Sequence, residues 1–185
     1  MDAVERLLVS VGHARMTMRA IAEEADVALG TVSHFGTREQ LVEKCIKRLF
    51  DWYFEEFTAL DLRNADDPKQ AFFDLVRYIV DDLESVRTSR LFPEVWAMGN
   101  TNAEIQSALD WLFARERDWL EGHLRDGWPA LDDAAVRLII GTLIPMIEGH
   151  VMFAPSHRAS LYEEIKPADA IIFWLNATLE RLESV

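Results

Sequence analysis

The chain has 185 residues, 50% hydrophobic and 28% charged, with a formal net charge of −13, long enough for a sizeable core in one or two globular domains. The single cysteine, Cys45, excludes an internal disulfide and agrees with a reducing compartment. The longest uncharged apolar runs, 138–147 and 170–179, hold ten residues each, against the roughly 20 of a membrane span, and Glu5 and Arg6 interrupt the first turns, so neither a membrane protein nor a signal peptide is expected.

Taking the chain in order, residues 3–11 repeat apolar side chains at Val4, Leu7, Leu8 and Val11, a helix with one buried face. Thr17 is an N-cap for a short helix whose narrow apolar edge is Ile21, Ala22 and Ala25, ending near Asp26. Val27 follows as a lone apolar plug. Residues 28–35, mostly small or hydroxyl-bearing, read as a second short helix of the size that enters a major groove, anchored by Phe35 and ended by Gly36. Thr37 with Gln40 is a capping box that opens a long helix over residues 38–60, apolar along Leu41, Cys45, Ile46, Leu49, Trp52, Tyr53 and Phe57.

Residues 62–67 are a polar break, and Asp67 followed by Pro68 reads as an N-cap with proline in the first turn. The helix that follows has Phe72, Leu75, Val76, Ile79 and Leu83 inside and Asp74, Arg77 and Asp81 outside. A shorter helix over residues 88–98 carries Phe92, Val95 and Trp96, and Pro93 must lie near its start. Thr101 and Glu104 form another capping box, opening a helix that stops at Gly127 with Ile105, Leu109, Leu112, Phe113, Trp119 and Leu120 inside. Residues 127–130 are a loop. Asp132 or Asp133 caps a helix reaching Phe153, and Pro167 opens the last one, to Leu182. Both are apolar nearly all round, and a chain of this size has too few other elements to cover them. A second copy is the expected cover: a homodimer through a four-helix bundle, with Gly141 and Gly149 permitting close approach. The expected fold is all-α with nine helices, a three-helix head over residues 1–36 and a six-helix body. The chain divides after residue 50, within the long helix that joins head to body, into residues 1–50 and 51–185.

Gly12, Thr17-x-Arg19-x-Ile21-Ala22, Ala25-x-Val27, Gly30-Thr31 and Phe35-Gly36-Thr37-Arg38-x-x-Leu41 together resemble the helix-turn-helix signature of the TetR-like (TetR/AcrR) transcriptional regulators, over residues 3–50. Three features depart from that pattern. Asp26 stands where the family usually has glycine, and Ala28 where it has a small hydroxyl residue. Gly30-Thr31 and Phe35 are one residue closer than usual. Either the recognition helix is shortened or one residue of the pattern is missing, and base contacts assigned to Ser33 or His34 carry that one-residue register. Similar proteins also have another turn or more before residue 3, often with a basic arm, so either the arm is absent or Met1 is not the natural start. The resemblance implies a cytoplasmic repressor that binds a palindromic double-stranded DNA operator as a dimer and is released by a small-molecule effector, without a cofactor.

Charge is uneven. Residues 1–50 hold seven Lys/Arg and seven Asp/Glu, leaving twelve basic against 25 acidic beyond them. A neutral head on an acidic body binds DNA if Arg15, Arg19, Arg38 and Lys44 share a face, with weak and salt-dependent non-specific affinity. Within the family pattern Thr31, Ser33 and His34 face the groove, Gly30 lies beside them, and Thr17, Arg19 and Arg38 meet phosphates at helix starts. The plainer reading makes Thr17 and Thr37 caps, Arg19 a solvated charge and Gly30 structural.

The effector cavity implied by the resemblance lies between the helices starting at Pro68, Thr101 and Asp132, with Phe72, Trp96, Phe113, Glu116, Met146 and His150 as candidate lining. Glu116 falls on the apolar stripe Leu109, Leu112, Trp119, His123 of its helix, where a carboxylate must be paired, neutralised or used; pairing with a nearby arginine is the structural reading. Pro145 breaks one backbone bond beside Met146 and His150, which opens a cavity or merely kinks the helix. The aromatics Phe72, Tyr78, Trp96, Trp111 and Phe113 line a pocket or are simply core. No glycine-rich phosphate loop, nucleophile elbow or paired histidine with metal spacing is present, so neither an enzyme nor a metal site is expected. The rival reading is a small-molecule binding or scaffold protein that has lost specific DNA binding, suggested by the neutral head and the short recognition segment.

Overall fold

The computed structural model describes residues 2–59, 65–152 and 166–183, which form nine α-helices, a 3-10 turn and no strand. In chain order these are α1 (Asp2–Val11), the 3-10 turn (His13–Arg15), α2 (Met18–Glu24), α3 (Leu29–His34), α4 (Arg38–Ala59), α5 (Pro68–Leu83), α6 (Val86–Gly99), α7 (Ala103–Gly127), α8 (Asp133–Val151) and α9 (Pro167–Glu183). The all-α fold with three short helices ahead of six longer ones is as the sequence predicts. The expected end of α4 at Leu60, the side chain of Phe57, the first half of the polar break and the end of α8 at Phe153 lie outside the described residues. The chain divides into two compact units, one of Met1–Ala59 with Arg90–Leu112, the other of Leu60–Ser89 with Phe113–Val185.

In the first unit α1 packs on α2 and α4 through Ala3, Val4, Leu7 and Leu8. Val11 is exposed instead of buried, because α1 ends there and the chain turns at Gly12 with φ +75°. The Glu94 carboxylate of α6 accepts a hydrogen bond from His13 N at 2.7 Å, holding that turn. Along α4, Leu41, Val42, Cys45, Ile46, Leu49, Phe50, Tyr53 and Phe54 are buried, whereas Trp52, expected inside, is exposed: the 3.6-residue period gives the inner face to its neighbours. Phe92 packs against Phe50 and Tyr53 at ring distances of 6.4 and 5.8 Å, and Phe54 meets Trp111 edge-on at 5.6 Å. Burial pushes the Cys45 thiol up to about 11, which makes it a packing residue and not a reactive one.

Two helix starts differ from expectation. Ser85 Oγ accepts Thr88 N at 3.1 Å and Ser85 O accepts Ser89 N at 2.9 Å, so α6 begins at Val86, and Pro93 sits inside it instead of near its start. For α7 the cap is Asn102, not Thr101: Asn102 Oδ1 accepts Glu104 N and Ile105 N at 3.0 and 3.1 Å, while the Thr101 hydroxyl donates to Met98 O.

In the second unit Asp67 Oδ1 accepts Lys69 N and Gln70 N, both at 3.1 Å, with Pro68 opening α5. The five apolar residues predicted for its inner face are all buried. Asp132 caps α8 by accepting Ala135 N at 2.7 Å, and α8 packs against α5 and α9. Trp128, in the loop after α7, is buried edge-on to Phe72 and Phe73 with Lys69 Nζ 5.2 Å from its ring, so this loop contributes to the core. By length and composition α8 is the one described helix able to cross a bilayer, which the ten-residue run understates; its inner face of Val136, Ile139, Ile140, Leu143, Ile147, His150 and Val151 is packed within the protein. The outer faces of α8 and α9 are apolar and open: Leu138 is 59% and Phe173 76% exposed, and a Cβ added at Gly141 would meet nothing within 4 Å.

Candidate functional site

The head is built from local hydrogen bonds. Thr17 Oγ1 accepts Ala20 N at 3.1 Å and starts α2. At its other end Val27 N donates to Ala22 O at 3.0 Å and Asp26 N to Glu23 O at 3.2 Å, with Asp26 at φ 53°. That is a Schellman stop, and the left-handed residue it needs is aspartate here. Val27, expected as a plug, is exposed, because this stop turns it away from the helix it follows. Thr37 and Gln40 form the predicted reciprocal box, Thr37 N to Gln40 Oε1 at 2.9 Å and Gln40 N to Thr37 Oγ1 at 3.3 Å, with Gly36 at φ +133° before it.

Between these fixed points α3 has six residues. Val32 is its only buried residue; Leu29, Gly30, Thr31, Ser33 and His34 all face outward. Phe35, expected as the anchor, is 59% exposed, since α3 ends at His34 and Phe35 lies beyond its last turn. The exposed edge of α3 therefore carries two hydroxyls, an imidazole and a glycine with no Cβ in the way, all able to approach base edges.

Thr17 and Arg19 are also exposed, whereas Arg38 is half-buried, donating to Met16 O at 3.3 Å and pairing with Glu39. Lys44 Nζ donates to Phe35 O at 3.0 Å, closing α3 onto α4. Arg15 and Arg19 are exposed and make no ion pair among the described residues. His13 is held below the ordinary imidazole range by burial first and by the Arg38 charge second, with Glu94 opposing.

Of the six candidate effector residues, Trp96 belongs to the first unit and the other five to the second. Trp96 Nε1 is buried without a hydrogen-bond partner. Phe72 is core against Trp128, Phe113 and Met146 are half-buried, and His150 is buried with Nε2 3.3 Å from Glu84 Oε1. None of the six lines the groove of about 540 Å³ beside Phe50, Ala108 and Trp111 or the one of about 410 Å³ beside Phe73, Arg77 and Phe173.

Glu116 is 6% exposed, and among the described residues no arginine pairs with it, contrary to the structural reading. Its neighbour is another carboxylate, Glu148 of α8, whose Oε2 is buried without a partner. Burial raises Glu116 to about 7, and burial together with the Glu116 charge raises Glu148 well above the ordinary carboxylate range. The sequence reading missed Glu148. Its signal was a lone acid among Ile144, Ile147 and Val151 on a helix apolar on every side. No group of three or more metal-ligating side chains occurs among the described residues.

Residues 1–45 match the family model for bacterial regulatory proteins of the tetR family. An uncharacterised HTH-type transcriptional regulator from the dhlA 5′ region of Xanthobacter autotrophicus is 26% identical over 161 residues, 83% of this chain and 77% of that one. A TetR transcription regulator from Haloarcula marismortui superposes with a TM-score of 0.77 at 15% identity, over 100% of this chain and 94% of that one. A Saccharomonospora viridis protein in complex with choline gives a TM-score of 0.77 at 17% identity, over 97% and 92% of the two chains. The head of this chain thus matches the tetR family model, and its all-α fold is the one these regulator structures share.

Proposed function

We propose that the protein is a cytoplasmic repressor that binds a palindromic operator as a homodimer and is released by a small-molecule effector. The observation that carries the DNA reading is α3 itself: one buried residue, Val32, and an outward edge of Gly30, Thr31, Ser33 and His34. These read bases, while Thr17, Arg19 and Arg38 contact phosphates, within a DNA-binding segment of residues 1–50. Residues 51–185 bind effector and dimerise. The open apolar faces of α8 and α9 at Leu138, Gly141 and Phe173 support the dimer, and a stable interface needs ~800 Å² per partner. Of the six candidates, the five in the second unit, Phe72, Phe113, Glu116, Met146 and His150, are assigned to the effector site, and the choline held by the Saccharomonospora viridis protein supports a small-molecule role for this fold.

A mobility-shift assay with DNA flanking the protein's own gene tests the reading. Arg19→Ala is expected to weaken all sequences alike and lower the salt slope by about one, whereas Ser33→Ala changes preference at one base position. Gly141→Arg is expected to give monomers in light scattering; a persistent dimer places the interface elsewhere. The six-residue α3 and the neutral head favour a second reading, a ligand-binding helical protein without specific DNA binding. Absence of a shifted band at low salt selects it.

A further inference from the structure

The polar groups buried in the second unit mostly have partners. His150 meets Glu84, the Thr88 hydroxyl donates to Asp82 at 3.1 Å, and His123 Nδ1 lies 2.9 Å from Trp119 O. Glu116 and Glu148 break that pattern. Glu116 of α7 is buried, its neighbour Glu148 of α8 is half-buried with Oε2 fully enclosed, and neither has an ion pair or a hydrogen bond among the described residues. Glutamine or leucine at either position would meet a purely structural need at lower cost, since an acid there must hold a proton or leave a charge uncompensated. We propose that Glu116 and Glu148 form the anionic floor of a site for a monovalent organic cation, an amine or quaternary ammonium with apolar substituents. The proposal rests on the effector reading above in treating that cation as the effector.

Charge and surroundings select this class. A divalent metal takes six or more oxygen ligands or a set of three to four histidine, cysteine and carboxylate side chains, and no such group exists among the described residues. A small alkali cation would leave its water for two oxygens and an apolar wall. An organic cation has less hydration to lose, and its substituents meet Ile144, one turn before Glu148, and the Trp119 ring, one turn after Glu116, which also attracts positive charge through its face. Without ligand, burial holds Glu116 at about 7 and, with the Glu116 charge, raises Glu148 well above the ordinary carboxylate range, so the pair favours holding a proton. The bound cation takes the place of that proton, which leaves to solvent.

The full chain should be titrated with benzyltrimethylammonium and with tetrapropylammonium, following tryptophan fluorescence, and in parallel with 2,2-dimethylpropylbenzene, the uncharged isostere of the first. At least one cation is expected to bind about tenfold or more tighter than the isostere, and Glu116→Gln and Glu148→Gln to remove that preference while leaving isostere binding unchanged. Melting curves show whether the variants fold. Calorimetry in two buffers of different ionisation enthalpy is expected to show proton release from the wild type and none from the double variant. Equal affinity for cation and isostere, wild-type cation affinity in both single variants, or no binding by either cation to about 10 mM overturns the proposal. A pH-dependent melting temperature without cation binding also overturns it, and assigns the pair to pH sensing. Operator binding intact with no cation binding sinks the site alone; cation binding intact with no operator binding sinks the repressor reading alone.

Discussion

In the head, α3 buries one side chain, Val32, and places its remaining polar groups in water; in the second unit α8 buries seven residues and carries Glu148 with an oxygen that no hydrogen bond reaches. The head is held by backbone geometry, since the Thr17 cap, the stop at Asp26 and the Thr37–Gln40 box are all closed within a few residues. The other region is held by area removed from water, and it can therefore carry an unfavourable charge pair that the head could not. Truncating a core residue tests this contrast most strongly. Leu143→Ala, at a fully buried position on α8, is expected to cost ~2–5 kcal/mol in urea denaturation. Val32→Ala should cost less, because α3 has no other buried side chain to lose packing. Equal costs would erase the distinction.

The charge pair gives the next effect. A carboxyl whose folded pKa is raised binds more protons in the native state, so stability falls as pH rises from its ordinary 4.5 through about 7 for Glu116. Glu148 is raised in the same direction. Glutamine removes that cost. Glu148→Gln and Glu116→Gln are each expected to stabilise the protein on the order of 1–3 kcal/mol at pH 8, with the gain vanishing by pH 4–5. Thermal melts across that range check it, and a constant difference between variant and wild type would show that the acids are compensated.

These sites also separate what was legible in the sequence from what was not. Caps closing within three residues were readable at Thr17, Thr37, Asp67 and Asp132, since each needs only a side-chain acceptor beside a periodic run. The cap of α7 was misplaced by one because Thr101 and Asn102 are both capable, and the choice depends on where the preceding helix ends: Thr101 is occupied by Met98 O. Phe35 read as an anchor because aromatics are usually buried, but the short α3 gives it nothing to sit on. Glu116 was conspicuous on its stripe, yet its partner was not, because a neighbour on another helix is a tertiary fact with no local spacing rule.

Gly12 is the point where the backbone-held region meets a distant side chain. Its φ of +75° is unfavourable for any residue with a Cβ, and that Cβ would lie 2.9 Å from Glu94 Oε1, the carboxylate that holds His13 N. Gly12→Ala is expected to lower stability by ~1–2 kcal/mol. Glu94→Gln keeps the acceptor and should cost little. Comparable losses in the two would mean that the carboxylate charge, and not the turn, fixes the start of the head.

The smallest effect has the opposite sign. Asp26 adopts φ 53° so that Val27 N and Asp26 N can close the last turn of α2. Aspartate tolerates that conformation better than most residues but pays a steric cost that glycine avoids, and its negative charge also sits at the carbonyl end of a helix. Glycine widens the unfolded ensemble, which offsets part of the gain. Asp26→Gly is therefore expected to stabilise the protein by ~0.5 kcal/mol in a helix-monitored melt, while Asp26→Ala, which keeps the Cβ and loses the charge, does not. The same pair of variants separates backbone from charge at the DNA face: both raise the net charge of residues 1–50 from zero by one, so both should strengthen non-specific DNA binding equally. Tighter binding by glycine alone would mean that the strain at Asp26 holds α3 away from its best position on DNA.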